Sequence, residues 1–136
     1  MPTGGVRGTP IAWAQSGIRS DSAAFLVTGA APVILHLATF VWRDGVTTKD
    51  IEPFMDALAE LPGQIPELRK FVFGPDLNLR EGNGDFGVWA ALDGPDAFAA
   101  YVANEPHQRA VRDLAMPFAE RRTAVQIDAG DLELGL

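Results

Sequence analysis

The amino-acid sequence predicts an α+β domain whose elements run in the order β-α-β-β-α-β. Apolar runs with a period of two alternate with segments whose apolar residues recur every three to four positions. Glycine and proline stand between these runs, where one element passes to the next. The 136 residues suffice for one domain with its own core.

Composition limits the classes of function. The net charge of -7 comes from 18 acidic and 11 basic residues without a long run of either sign, so a nucleic-acid surface is not expected. The absence of cysteine excludes disulfides, thiolate catalysis and cysteine-ligated metals. The two histidines form no closely spaced pair, so we predict no metal and no cofactor. No apolar run reaches the roughly 20 residues that cross a bilayer, and we expect a cytoplasmic protein without membrane contact.

The first part of the chain differs from the rest. Residues 1–31 are rich in Gly, Ser, Thr and Pro, and only Ala23 to Val27 resembles a short strand. They predict a flexible N-terminal extension, or alternatively an arm that crosses to a partner subunit. We place the folded domain at residues 32–129 and a short acidic tail at residues 130–136.

The first strand is the strongest element of the pattern. Val33 to Trp42 is a nearly continuous apolar run, bounded by Pro32 and by the turn from Arg43 to Gly45. Alternation divides the run into two apolar faces, so we expect both to be covered. One face carries Ile34, His36, Ala38, Phe40 and Trp42, and the other carries Val33, Leu35, Leu37, Thr39 and Val41.

A helix follows the first strand. Thr47 or Thr48 is its expected N-cap, and Pro53 falls in its first turns, where the missing N–H costs little. We expect Pro62-Gly63 to end it. Its apolar stripe is formed by Ile51, Phe54, Met55, Leu58 and Leu61.

The later elements are marked by the same signals. Strands are predicted at Leu68 to Gly74, Asp85 to Leu92 and Arg122 to Asp128. A second helical region begins at Asp93-Gly94-Pro95, bends at Pro106 and resumes from His107 to about Met116.

This order makes one antiparallel sheet with both helices on a single face, a ferredoxin-like unit. We assign the face with Phe40 and Trp42 to the side away from the helices, together with His36. Because a monomer would expose that apolar face, we expect two subunits to close sheet against sheet into a homodimeric α/β barrel. A pocket inside it would be apolar with a few polar groups and would hold a small apolar or aromatic molecule.

The segment from Tyr101 to His107 concentrates reactive side chains. It places a phenol, an amide (Asn104) and an imidazole within seven residues, beside Pro106. A proline disfavours helix at the residue before it and suits the first position of a new helix. Tyr101 and His107 therefore lie on either side of a corner, from which both can point into one cavity.

The chain resembles the stress-responsive A/B barrel (Dabb) family from about Val33 to Asp128. The residues that carry the resemblance are His36 on the first strand, Ile65-Pro66-Glu67-Leu68, Gly74, the Tyr101 to His107 segment and the terminal Asp128. The family pattern Y-x-x-H-P-x-H keeps its Tyr and last His here, while Asn104 replaces the first His and the proline comes one position later.

The resemblance implies a homodimeric barrel and suggests chemistry. Plant polyketide-cyclase members are thought to use this Tyr and this His in an aldol-type ring closure. A neutral imidazole can take a proton from an activated carbon, and a tyrosine hydroxyl can stabilise the enolate. We therefore take Tyr101, His107 and His36 as catalytic candidates for a cofactor-independent cyclisation or lyase-type step, with Asn104 orienting the substrate or the imidazole.

Alternatives remain for each candidate. Tyr101 can simply pack in the core, His107 can begin a helix at the surface, and His36 can be a hydrogen-bonded core histidine. Strand aromatics are candidates for a substrate pocket or for packing alone: Phe40, Trp42, Phe71, Phe73, Phe86 and Trp89. Arginines at 109, 112, 121 and 122 are expected to be solvated, although one of them would suit a carboxylate substrate.

Two other functions fit the sequence. One is a non-catalytic, stress-associated dimer that binds a ligand or a partner through the same barrel. The other is a cofactor-free monooxygenase on the same fold. An enclosed pocket reached by Tyr101 and His107 would favour an enzyme, and a barrel packed solid by aromatics would favour binding alone.

Overall fold

The computed structural model describes residues 32–130. The expectations for residues 1–31 and for the tail from residue 131 onward lie outside the described residues. The described elements are β1 (Val33–Trp42), α1 (Thr48–Gln64), β2 (Leu68–Pro75), β3 (Phe86–Asp93), α2 (Gly94–Ala103), α3 (Glu105–Arg109) and β4 (Ala119–Asp128). Helix α3 continues as a π-helix over Ala110–Ala115 and a 3-10 helix over Met116–Phe118. This is the predicted β-α-β-β-α-β order.

The four strands form one antiparallel sheet in the order β2-β3-β1-β4. The alternating strands and the helices between them thus fold as a ferredoxin-like unit, which confirms the predicted fold class. β2 and β4 are the sheet edges. None of the helices within residues 32–130 is both long and apolar enough to cross a membrane.

Helix α1 begins at the residue that the sequence favours. Thr47 is the N-cap, and it forms a capping box with Asp50: the Thr47 hydroxyl accepts from the Asp50 N–H, and the Asp50 carboxylate accepts from the Thr47 N–H. The expected end at Pro62-Gly63 is wrong, because the helix continues to Gln64. Proline fixes a φ compatible with helix, and the N–H of Ile65 still reaches the Leu61 carbonyl at 2.9 Å.

The core lies between the sheet and the helices. Phe54 of α1 is fully buried and contacts Phe40 edge to face, with ring centroids 5.5 Å apart. The assignment of the face with Phe40, Trp42 and His36 to the side away from the helices is therefore wrong. Alternation separated the two faces of β1 correctly, but both are apolar, so hydrophobicity alone does not tell which one the helices cover.

Within residues 32–130, no helix lies on the other side of the sheet, which is called the open face below. Leu37 lies between Trp89 and Val125 in register, and Leu35 lies beside Ile127. Val72 extends the row beyond Trp89. The edge residues of this face are strongly exposed: Val72 54%, Val125 52% and Ile127 44%. The open face consists of Leu35, Leu37, Val72, Trp89, Val125 and Ile127.

Candidate active site

Strand β1 places His36 under the helices. Its lateral neighbours in the sheet are Ala90 of β3 and Gln126 of β4. The side chain is 4% exposed, a burial that an imidazole tolerates only with hydrogen-bond partners. The Gln126 amide nitrogen lies 3.0 Å from Nδ1 of His36 and is one such partner.

Helix α2 brings Tyr101 onto His36. Tyr101 lies in the last turn of the helix and is 1% exposed. Its ring is 5.6 Å from the His36 ring, in an edge contact, and Phe98 of the preceding turn is 5.3 Å from the same imidazole. The phenol is therefore held between the sheet and its own helix.

The corner after α2 brings His107 back to Tyr101. Asn104 is extended (φ -64°, ψ 129°) and caps α3, and its Oδ1 accepts from the His107 N–H at 3.3 Å. Pro106 lies in the first turn of α3, but the predicted restart at His107 is wrong, because α3 begins at Glu105. The Tyr101 and His107 rings are then only 4.3 Å apart. His36, Tyr101 and His107 together are called the histidine–tyrosine cluster below.

Burial controls the ionisation of the cluster. Burial raises the pKa of Tyr101 to about 12, against a smaller opposing effect of the Arg122 charge, so the phenol keeps its proton at neutral pH. Burial, with smaller contributions from His36 and Arg122, lowers the pKa of His107 to about 4, although a hydrogen bond with the Val102 backbone opposes the shift. Burial and Arg122 also lower the pKa of His36. Both imidazoles are therefore neutral at pH 7.

One polar atom of the cluster is buried without a hydrogen-bond partner among the described residues. This atom is Nδ1 of His107. Buried polar atoms are almost always paired, so an unpaired one indicates a functional role or a bound molecule. It lies on the ring that contacts Tyr101.

Two residues of β4 belong to the site, and sequence reasoning missed one and undervalued the other. Gln126 contacts His36, but a glutamine on an alternating strand looks like any solvated residue until the register is known. Arg122 lies on the same face of β4, and its charge lowers the pKa of all three cluster residues. It forms no ion pair with a carboxylate of residues 32–130, so its charge is available to an anion.

The aromatic candidates divide into three groups. Phe40, Trp42 and Phe86 pack around Phe54, with ring centroids 5.3 to 6.3 Å apart. Phe71 and Phe73 line the same side of the sheet at its β2 edge, and Phe71 shares the lateral row of Ala90 and His36. Trp89 lies on the open face, so it does not line one cavity with Tyr101.

Surface grooves surround the connection between β2 and β3, away from the histidine–tyrosine cluster. The larger, of about 510 Å³, is lined by residues that include Thr39, Pro75, Leu79 and Phe86. A smaller one of about 200 Å³ lies between that connection and the start of α1. Within residues 32–130, no three His, Asp or Glu side chains converge as a metal site.

Comparison with known proteins gives a consistent picture. The model of the stress responsive A/B barrel domain (Dabb) family matches residues 34–129. No curated protein matches the chain. A dimeric ferredoxin-like protein of unknown function from Thermobifida fusca is 43% identical, with a TM-score of 0.67 over 72% of this chain and 92% of that one.

Less similar solved structures share the fold. The hydroxynitrile lyase from Passiflora edulis is 13% identical, with a TM-score of 0.65 over 76% of this chain and 99% of that one. A Dabb family protein from Mesorhizobium loti is 17% identical, with a TM-score of 0.60 over the same shares, 76% and 99%.

Proposed function

The chain belongs to the stress responsive A/B barrel domain family, and from that premise we propose that it is a cofactor-independent enzyme. It acts as a homodimer on a small apolar carbonyl compound of the polyketide kind. The reaction begins with proton transfer at a carbon next to a carbonyl and leads to ring closure.

The observation that carries the proposal is the buried, unpaired Nδ1 of His107 on a ring 4.3 Å from Tyr101. A neutral imidazole with a free lone pair is a base, and the pKa of about 4 keeps it neutral at pH 7. Tyr101, protonated up to about pH 12, is the matching hydrogen-bond donor.

These roles give a balanced ring closure. His107 removes a proton from the carbon next to a carbonyl, while the Tyr101 hydroxyl donates to that carbonyl oxygen as it becomes an enolate. The enolate carbon forms a bond to a second carbonyl carbon of the same molecule, and the oxygen of this carbonyl takes up the proton held by His107. Loss of water then completes the ring.

Arg122 supports this chemistry electrostatically. Its unpaired charge acts on all three cluster residues and stabilises negative charge that develops among them.

The homodimer is supported by the open face. Leu37, Trp89, Val125 and their neighbours form an uncovered apolar surface on the described monomer. The similar proteins from Thermobifida fusca and Bacteroides fragilis are dimeric. A second copy that packs its own open face against this one removes both surfaces from water.

The test uses a phenyl-capped linear triketone, which closes to dihydroxybiphenyl with loss of one water. Formation of the phenol is followed by absorbance, with the spontaneous rate subtracted. We expect wild-type protein to accelerate closure and both Tyr101→Phe and His107→Gln to lower kcat by roughly a hundredfold.

The matched control is Glu60→Gln, an exposed position of α1, which should keep wild-type turnover. Tyr101→Phe retains the ring and should cost only about 1 kcal/mol of stability, so lost turnover would not reflect unfolding. If both cluster variants turn over the triketone at the wild-type rate, the proposal is wrong.

A non-catalytic ligand-binding dimer is the second candidate, and Asn104, which replaces the first His of the family pattern, favours it. In that case dihydroxybiphenyl shifts the imidazole NMR signals of His36 and His107, while the triketone is not turned over. Oxygen uptake with the same phenol would point instead to the cofactor-free monooxygenase.

A further inference from the structure

Beyond the backbone pairing of β1 with β4, the edge strand β4 contacts the histidine–tyrosine cluster through a side-chain hydrogen bond. Gln126 stands opposite His36 in the β1–β4 register. Its amide nitrogen lies 3.0 Å from Nδ1 of the imidazole. The imidazole is buried, whereas most of the glutamine faces solvent, so the contact joins an exposed strand to the interior of the site.

The chemistry of this contact decides where the proton of His36 resides. An amide nitrogen carries two hydrogens and no available lone pair, so it can only donate. Nδ1 must therefore accept. A neutral imidazole that accepts at Nδ1 carries its hydrogen on Nε2, and that N–H is the remaining polar group of the ring.

We propose that Gln126 is a positioning residue that holds His36 in the Nε2–H tautomer, which makes His36 a hydrogen-bond donor to the ligand. The consequence for turnover rests on the proposed function, whereas the tautomer itself does not.

This assignment gives the two histidines complementary roles. His107 presents an unpaired Nδ1, the base of the proposed function, and His36 presents an N–H. The phenol of Tyr101 lies between the two rings, 4.3 Å from one and 5.6 Å from the other. Two donors and one base converge, which is the combination that removes a proton and stabilises the resulting enolate.

The same contact selects the ligand. A ligand group that receives hydrogen bonds from both Tyr101 and His36 must be an acceptor such as a carbonyl or enolate oxygen, since an ammonium group or an amide N–H would leave these donors unpaired. A ketone or thioester oxygen fits this requirement. The charged or titratable groups around His36 are Tyr101 from α2, His107 from α3 and Arg122 from β4, and none of them is an anion at pH 7.

The test reads the tautomer directly by nitrogen NMR of protein labelled at histidine. The chain has only two histidines, so the spectrum contains two imidazoles, and His107→Gln identifies the signals of His36. In wild-type protein at pH 7 we expect His36 to be protonated on Nε2 and bare on Nδ1.

Substitutions at position 126 change the hydrogen-bond partner of His36 Nδ1 and should leave the fold intact, because the side chain lies on an exposed edge strand. In Gln126→Glu the carboxylate accepts a hydrogen bond, so the proton of His36 moves to Nδ1. In Gln126→Ala the two tautomers mix. Gln64→Glu makes the same amide-to-carboxylate change at the exposed end of α1 and should leave the His36 signals unchanged.

Turnover of the triketone supplies the second readout. Gln126→Glu should lower kcat by at least roughly tenfold with little change in KM, because a donor to the developing oxyanion is lost. A wild-type His36 protonated on Nδ1, or an unchanged tautomer in Gln126→Glu, overturns the assignment of Gln126. A changed tautomer with wild-type turnover confirms that assignment and contradicts the proposed role of His36 in catalysis.

Discussion

His107 couples the stability of the fold to pH. Its folded-state pKa of about 4 lies below the ordinary value of 6.5, so between these values the unfolded chain binds more protons than the folded chain. The contribution of His107 to stability is therefore complete above pH 6.5 and is lost as pH falls toward 4. The full shift is an upper limit, and for this half-buried ring we expect about 1 to 2 kcal/mol after allowance for solvent screening.

The measurement is urea unfolding of wild type and His107→Gln near pH 6.5 and near pH 4. Wild-type protein should lose more stability over this interval than the variant does, by the amount contributed by His107. The carboxylates are common to both proteins and cancel in the difference, which therefore reports His107 together with its interaction with His36. Parallel losses in the two proteins would show that His107 is not buried in its neutral form.

At the scale of elements, the corner between α2 and α3 depends on one side chain. Asn104 caps α3 by accepting from the His107 N–H and so fixes the start of a helical segment that continues to Phe118. Asn104→Ala should cost about 1 kcal/mol of stability and should displace or broaden the imidazole NMR signals of His107. Asn104→Asp keeps an acceptor at the cap and should restore both.

Thr47→Ala provides the matched control, because Thr47 caps α1 in the same way and lies outside the cluster. It should cost a similar free energy of unfolding and leave the His107 signals in place. If both variants shift the His107 signals equally, the shift reflects a general loss of stability, and Asn104 does not specifically position His107.

The elements show what sequence can and cannot predict. Strand β1, the start of α1 and the break at Pro106 were predictable because periodicity, a capping threonine and a proline are local signals. The proximity of Tyr101 and His107 was predictable from the same proline. The covered face of β1 was not, since both faces are apolar and only the docking of Phe54 on Phe40 decides between them. The contact of Gln126 with His36 was not predictable either, because it depends on the β1–β4 register, which pairs residues far apart in the sequence.

At the scale of the whole molecule, the helices of residues 32–130 cover one face of the sheet, and no described element covers the other, apolar face. The proposed homodimer follows from this asymmetry, because the exposed Val125 lies beside Leu37 on the open face. A lysine at position 125 would have to bury its charge between two apolar sheets, which is costly without a partner. Val125→Lys should therefore convert the dimer into a folded monomer.

Analytical ultracentrifugation measures this directly, since one chain weighs 14.6 kDa and a dimer weighs twice as much. The control is Ala124→Lys, which adds the same charge one residue earlier on β4, on the side of the sheet that faces the helices. This variant should remain dimeric. If Val125→Lys and Ala124→Lys sediment alike, the open face is not the surface that joins the subunits. If only Val125→Lys dissociates, the turnover of the triketone by this monomer can be measured. Because the histidine–tyrosine cluster lies between the sheet and the helices of a single subunit, we expect the monomer to remain active.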